Sequence, residues 1–182
     1  MLKLAAVLVA AFLLGGPTVP APVSFTFGVN PIVDCFGKYG SGVRISDNEI
    51  ITAAHVIGSS CQVEGVPAQV VYVDDKLDFA VLRGEFNPGL RATISCDGFR
   101  PGQRYLALGH PNRTPVIEIL TATNQTADDD ARILNGSAYP GMSGGGNYRE
   151  SDGALVGLTV RRDARGFRGV ASVDLRDTYI CK

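Results

Sequence analysis

The sequence predicts an all-β protein, and three observations carry that prediction. Glycine and proline are abundant, 22 and 10 residues of 182, a load of turn formers that disfavours a helical bundle. Apolar and β-branched residues come in short bursts separated by turn signals, the pattern of a β-sandwich or a pair of barrels. Only one stretch, around residues 53–57, reads as a helical turn.

The bursts fall at residues 25–29, 43–46, 49–52, 68–73, 77–82 and 91–95, and again at 103–109, 116–123, 131–135, 154–160 and 168–173. Turn signals lie between them: Lys38-Tyr39-Gly40-Ser41-Gly42, Asn87-Pro88-Gly89, Arg100-Pro101-Gly102 and Ser151-Asp152-Gly153. Turn residues cluster most densely over 87–102, which divides the chain into β units at 25–95 and 96–182. No internal repeat is visible.

Residues 1–24 read as a leader and not as part of the fold. Lys3 precedes an unbroken apolar run over residues 4–14, which Gly15-Gly16-Pro17 ends. That is the layout of a secretory signal peptide, with cleavage expected between Pro17 and Phe25. The run is too short to cross a hydrocarbon layer of ~30 Å as a helix, so no stable membrane span is expected after its removal. Export suits the four cysteines, Cys35, Cys61, Cys96 and Cys181. They are even in number and include no Cys-x-x-Cys pair, so they read as two disulfides and not as a zinc site. Three pairings remain open at this level.

The formal net charge is −1 and there is no dense basic tract, which argues against nucleic acid as a partner. No metal or cofactor is expected. Any chemistry that needs histidine must use His55 or His110, the two histidines of the chain.

Gly141-Met142-Ser143-Gly144-Gly145 fits a G-x-S-x-G pattern. Glycines beside a serine let a substrate backbone approach and let amide N–H groups point above the hydroxyl. The α/β-hydrolase elbow is excluded, because it needs its histidine after the serine and both histidines here precede it. The order available is histidine, aspartate, serine. His55 sits in Thr52-Ala53-Ala54-His55, among small residues that pack a tight turn. Asp78 sits in Leu77-Asp78-Phe79-Ala80-Val81-Leu82, an acid within an apolar run that must find a hydrogen-bond partner. Asp74 and Asp75 lie in a polar turn and read as solvated; His110, ahead of a proline, reads as structural.

Together these segments and Pro140-Gly141-Met142-Ser143-Gly144-Gly145 resemble the three catalytic segments of trypsin-like, chymotrypsin-fold serine proteases. Leu155-Val156-Gly157-Leu158-Thr159-Val160 resembles the family's substrate-binding strand. Leu106-Ala107-Leu108-Gly109-His110-Pro111 resembles a second-barrel strand of the compact bacterial Deg-like members, here without a PDZ domain. The resemblance spans residues 25–175. It implies two six-stranded Greek-key barrels with the active site in the cleft between them.

By the same matching, Ser143 is the nucleophile, His55 the general base and acid, and Asp78 the residue that orients the imidazole. The amides of Gly141 and Ser143 form the oxyanion hole, worth ~3 kcal/mol per donor in such enzymes. Ser137 lies at the base of the primary pocket with Ala138 beside it and Gly169 opposite. No acid stands there, so a small or medium apolar side chain is the expected preference. Thr159, Val160 and Arg161 are matched to the strand that pairs with an extended substrate. The resemblance also implies the pairing Cys35–Cys61 around the His55 segment, worth roughly 3 kcal/mol, and Cys96–Cys181.

Two departures matter. Met142 stands where zymogen-type members carry an aspartate that pairs with a freed N-terminal amine, and no Ile-Val-Gly-Gly-like start follows the leader. Activation by N-terminal cleavage is therefore not expected, and nothing in the sequence anchors residues 139–143 in its place. Gly146 stands where proline is common. The expectation is a secreted, monomeric serine endopeptidase acting on peptides or proteins. The alternative is a non-catalytic protein-binding module on the same fold.

Overall fold

The computed structural model describes residues 27–127, 130–162 and 169–182. The expected leader therefore lies outside the described residues. Six strands, β1 (Ile32–Cys35), β2 (Lys38–Arg44), β3 (Glu49–Thr52), β4 (Cys61–Val63), β5 (Val66–Asp74) and β6 (Phe79–Arg83), close into one barrel in the order β1-β2-β3-β6-β5-β4. Six more, β7 (Arg104–Gly109), β8 (Val116–Thr126), β9 (Arg132–Asn135), β10 (Gly146–Arg149), β11 (Leu155–Arg162) and β12 (Gly169–Asp174), close a second barrel. Its order, β10-β11-β12-β9-β8-β7, repeats the connectivity of the first. The all-β, two-barrel fold class is the one expected, and the repeat of topology has no counterpart in the sequence.

The apolar bursts supply the barrel interiors. Val33, Val43, Ile50, Ile51, Phe79, Val81 and Leu82 are fully buried in the first barrel. Leu108, Leu155, Leu158 and Val160 of the second barrel join the same cluster, so the interface between barrels is part of the core. Tyr105, Leu120, Leu134, Met142, Val156 and Val170 form a second, separate cluster. Removing one such Leu or Ile to Ala costs about 2–5 kcal/mol.

Several local expectations are corrected. Strands β1, β4 and β10 are present where none was expected; each has only three or four residues, too few to show a period. Residues 38–42 form the start of β2 and not a turn. Here glycine answers a close approach, since a Cβ on Gly40 would lie 2.7 Å from the Ser143 carbonyl and from Val56. Residues 91–95 form no strand: Ile94 makes one isolated parallel bridge to Leu155. Among the described residues, Phe27–Val29 and three other segments are short 3-10 turns, beyond the one helical turn expected and found at Ala54–Val56.

Disulfides close the ends of this layout. Cys35–Cys61 joins directly paired residues of β1 and β4, and Cys96–Cys181 ties the connecting segment to the C-terminal residues. Both are the pairings that the family resemblance implied. Asp174, at the end of β12, accepts from Phe99 N at 3.1 Å and Arg176 N at 3.0 Å, holding the connection against the second barrel.

Arg149 in β10 is nearly buried and gathers three groups: Asp152 at 3.0 Å, Asp97 at 3.2 Å and the Ser95 hydroxyl at 3.1 Å. Hydrogen bonds from Arg149 and Ser95 hold the Asp97 carboxyl below its ordinary value. At Asp152 burial acts to raise the value and is outweighed by the bonds from Arg149 and the Ala154 amide, so it too is lowered. Both groups are protonated in the unfolded chain before the folded one. Their contribution is therefore present above the unfolded carboxylate value of 3.8 and lost as pH falls below it. The urea midpoint should drop between about pH 5 and about pH 2, and Arg149→Met should flatten that drop while lowering the midpoint at neutral pH.

Candidate active site

β3 and β6 are antiparallel neighbours, with Thr52 opposite Ala80. The register sets the chain leaving β3 beside the chain entering β6, and so brings together His55 and Asp78, 23 residues apart in sequence. His55 lies in the 3-10 turn Ala54–Val56. Lys38 Nζ donates to the carbonyls of His55 and Ile57, both at 3.0 Å, and so closes the turn. Asp78 adopts a left-handed conformation, φ 54°, which aspartate tolerates better than most residues. One carboxylate oxygen accepts from the His55 amide at 2.9 Å and the other faces His55 Nδ1 at 2.7 Å. The acid thus holds both backbone and ring. A carboxylate at Nδ1 places the ring proton there and leaves the Nε2 lone pair for chemistry.

The serine arrives from the second barrel. Residues 139–142 make a turn in which Met142 N donates to Tyr139 O at 3.0 Å. Gly141, third in that turn, has φ 98°, the type II arrangement, which demands glycine or asparagine there. Met142 is fully buried in the second-barrel core and packs on Gly109. This corrects the expectation that nothing anchors residues 139–143: an apolar side chain does so. Neither the Gly141 nor the Ser143 amide donates to a protein acceptor among the described residues.

β11 completes the site. Thr159 pairs with Ser172 and Arg161 with Ala171, leaving Val160 as an extra residue in a β-bulge. Bulges re-aim local groups, and the Val160 carbonyl accepts the Ser143 hydroxyl at 3.1 Å. In this rotamer the hydroxyl is directed to Val160 and not to His55. Behind the strand, Thr159 bonds Asn147 at 3.0 Å and Asn147 bonds Ser172 at 2.9 Å, a buried polar chain that fixes the bulge. A cleft of 380 Å³ is lined by His55, Ala138, Tyr139, Pro140, Ser143, Thr159, Val160 and Arg161. No group of acidic, histidine and cysteine side chains able to hold a metal occurs among the described residues.

A family model, the trypsin-like peptidase domain, matches residues 40–158. The chain belongs to the trypsin-like peptidase family. The Rv3671c protease of M. tuberculosis in an inactive form is similar in structure, with TM-score 0.72 and 17% identity over 81% of this chain and 83% of that one. An inactive serine-to-alanine mutant of the same protein gives TM-score 0.71 at 17% identity over 81% of both chains. The serine endoprotease of Yersinia pestis gives TM-score 0.70 at 22% identity, over 81% of this chain and 58% of that one. At these identities the likeness is one of fold. No curated protein matches the sequence.

In this trypsin-like peptidase, His55, Ser143, Ala138, Thr159, Val160 and Arg161 share one cleft, and Asp78 stands behind His55. Ser137 is half-buried one residue before Ala138, and Gly169 opens β12 opposite Asn135; neither is among the described lining of the cleft. His110 is buried at the end of β7, and burial lowers its basicity. Asp74 accepts from the Leu77 amide at 3.0 Å, closing the turn before Asp78. Lys38 and Asn30 were missed by sequence reasoning. Asn30, fully buried, accepts from Gly146 N at 3.2 Å and Tyr148 OH at 3.0 Å, so the segment before β1 braces the strand after Ser143. A neutral amide beside a strand start leaves no pattern that would reveal this.

The nucleophile segment touches the first barrel with no room to spare. Gly144 has φ 81°, and a Cβ there would overlap the Ser41 carbonyl and the Thr52 hydroxyl. Gly144→Ala should lower stability by about 3 kcal/mol, from overpacking together with the left-handed backbone. A urea melt beside the wild type measures it.

Proposed function

We propose that this chain is a secreted serine endopeptidase that cleaves peptide bonds through Ser143, His55 and Asp78. The observation that carries the reading is the His55–Asp78 pair at 2.7 Å facing the same cleft as Ser143. Rotation about one side-chain bond takes the Ser143 hydroxyl from Val160 O toward His55 Nε2. Catalytic hydrogen bonds of this kind are often formed only when substrate is bound. His55 then accepts the hydroxyl proton as Oγ attacks the peptide carbonyl. The Gly141 and Ser143 amides stabilise the resulting oxyanion, and His55 returns the proton to the departing amine. Water reverses the sequence on the acyl-enzyme. Asp78 holds the tautomer and the positive imidazolium throughout.

The pairing of β10 with β11 ends at Gly146 and Leu158. Beyond Thr159, β11 therefore presents an edge in the cleft, to which an extended peptide adds as a strand. The cleft walls at Ala138, Thr159 and Val160 carry no acid, which favours a small or medium apolar residue before the scissile bond. Apolar anchoring by Met142 supports activity without N-terminal zymogen cleavage. Two disulfides suit an oxidising, extracytoplasmic compartment. Among the described residues no helix is long and apolar enough to cross a membrane. We read the active unit as a monomer with peptides or proteins as substrates.

A second reading, a binding module on the protease fold, draws on the Ser143 hydroxyl being directed to Val160 O. Fluorophosphonate labelling separates the two. Under the peptidase reading the wild type labels, Ser143→Ala does not, and His55→Ala labels far more slowly. Asp78→Asn should lower kcat on a peptide substrate by about 10⁴-fold. A folded wild type that resists labelling and turns over no peptide would favour the binding module.

A further inference from the structure

We propose that Ser41, a residue of the first barrel, is a positioning residue for the oxyanion-binding turn of the second. Ser41 is fully buried and bonds to both ends of that turn. Its hydroxyl donates to the Gly141 carbonyl at 2.8 Å and accepts from the His110 amide at 2.9 Å. Its own amide donates to the Ser143 carbonyl at 2.8 Å, and its carbonyl accepts from the Thr52 hydroxyl at 2.7 Å. One residue therefore grips both ends of Gly141-Met142-Ser143, the segment whose first and last amides are read above as the oxyanion donors.

The two grips fix different things. Gly141 O and Met142 N belong to one peptide plane, and Met142 N is already held by Tyr139 O at 3.0 Å. With Gly141 O bound to Ser41 as well, that plane is held at both edges and the turn cannot roll about its own axis. Two residues earlier on β2, the Tyr39 ring packs against Gly141, where a Cβ would lie 2.8 Å from it, and the Tyr39 hydroxyl accepts from Asn112 N at 3.2 Å. Residues two apart on a strand share a face, so β2 presents a ring and a hydroxyl to the turn together. The buried Gly141 carbonyl and the His110 amide both bond the Ser41 hydroxyl. Removing it takes that bond from the buried Gly141 carbonyl, and the turn must shift to replace it. The shift moves the Gly141 amide off the place where a developing oxyanion would sit.

The inference rests on the reading of Gly141 and Ser143 as oxyanion donors, and the experiment separates its failure from failure of that reading. Ser41→Ala, Ser41→Cys and Thr52→Val are purified with intact disulfides and checked by thermal melt. Kinetics on a peptide amide and a crystal structure of Ser41→Ala complete the set. A weakened oxyanion hole lowers kcat on the order of 10- to 100-fold with KM within about twofold, since ground-state binding on β11 is untouched. Ser41→Cys, with a weaker donor of similar shape, falls between Ala and wild type. Thr52→Val loses a buried bond in the same seam, and there the melting temperature falls while kcat stays. In the crystal structure of Ser41→Ala the Gly141 carbonyl leaves its wild-type position. That readout stands even if the wild type turns over no peptide, an outcome which would sink the peptidase reading alone. An unmoved turn in Ser41→Ala, an unchanged kcat, an equal kcat loss in Thr52→Val, or failure of both Ser41 variants to fold would overturn the proposal.

Discussion

The two barrels of this peptidase fold meet along one backbone seam, and the rest of the site depends on it. Across it Ser41 N donates to Ser143 O and the Ser41 hydroxyl to Gly141 O, both at 2.8 Å; beside it, within the second barrel, Gly144 N donates to Thr159 O and Thr159 N to Gly145 O. His55 and Asp78 ride on the first barrel and Ser143 on the second, so the seam sets the distance between His55 and Ser143. Side chains would prop such a contact apart, and the residues beside the Ser41–Ser143 bond on each side, Gly40 and Gly144, are glycines with no room for a Cβ. Buried backbone groups must be paired, and the bonds from Ser41 to Ser143 O and Gly141 O meet that demand while joining the barrels. The nearness of His55 and Ser143 follows in part from saturating these main-chain groups.

Around the seam, the structure supports its strained positions by over-determining them. Asp78, held with φ 54°, is compensated by two hydrogen bonds to His55 and by the neighbouring turn that Asp74 closes. Such a conformation costs on the order of 1–3 kcal/mol and persists only where surroundings impose it. The Val160 bulge breaks the β11–β12 ladder, and the Thr159–Asn147–Ser172 chain holds it in place. Disulfides at Cys35–Cys61 and Cys96–Cys181 limit the freedom of the unfolded chain at the edges of each barrel. The parts that move chemistry are therefore few, and each stands on rigid neighbours.

How much of this was legible in the sequence depends on the length scale of each feature. The long apolar bursts and the three motif segments reported the fold class, because they span enough residues to show a pattern. Strands β1, β4 and β10 were too short for that. Lys38-Tyr39-Gly40-Ser41-Gly42 read as a turn because glycine signals a bend in isolation, whereas here it admits another backbone. The positions of His55, Asp78, Ser143, Gly141 and the β11 residues were named from motif order. The bulge at Val160 was not, since a bulge depends on what the partner strand offers. Met142 read as a missing charge and proved to be an apolar anchor, because burial is a property of the partner surface and Gly109 is distant in sequence. Lys38, Asn30 and Ser41 act through hydrogen bonds to residues distant in sequence, and no local spacing encodes those.

The substitution at Met142 changes the physics of how this loop is held. An aspartate paired with a free α-amine depends on two charges, and the amine loses its proton near pH 8. A thioether buried among Tyr105, Leu120, Val156 and Val170 has no proton to lose. The other contacts on the turn, from Ser41, the Tyr39 ring and the backbone of His110, involve no ion pair. The loop is held by the same burial that forms the second barrel. Hydrophobic anchoring is also insensitive to salt, unlike an exposed ion pair. Such an anchor carries no charge pair to make or break, so the support it gives the turn comes with the packing of the second barrel itself.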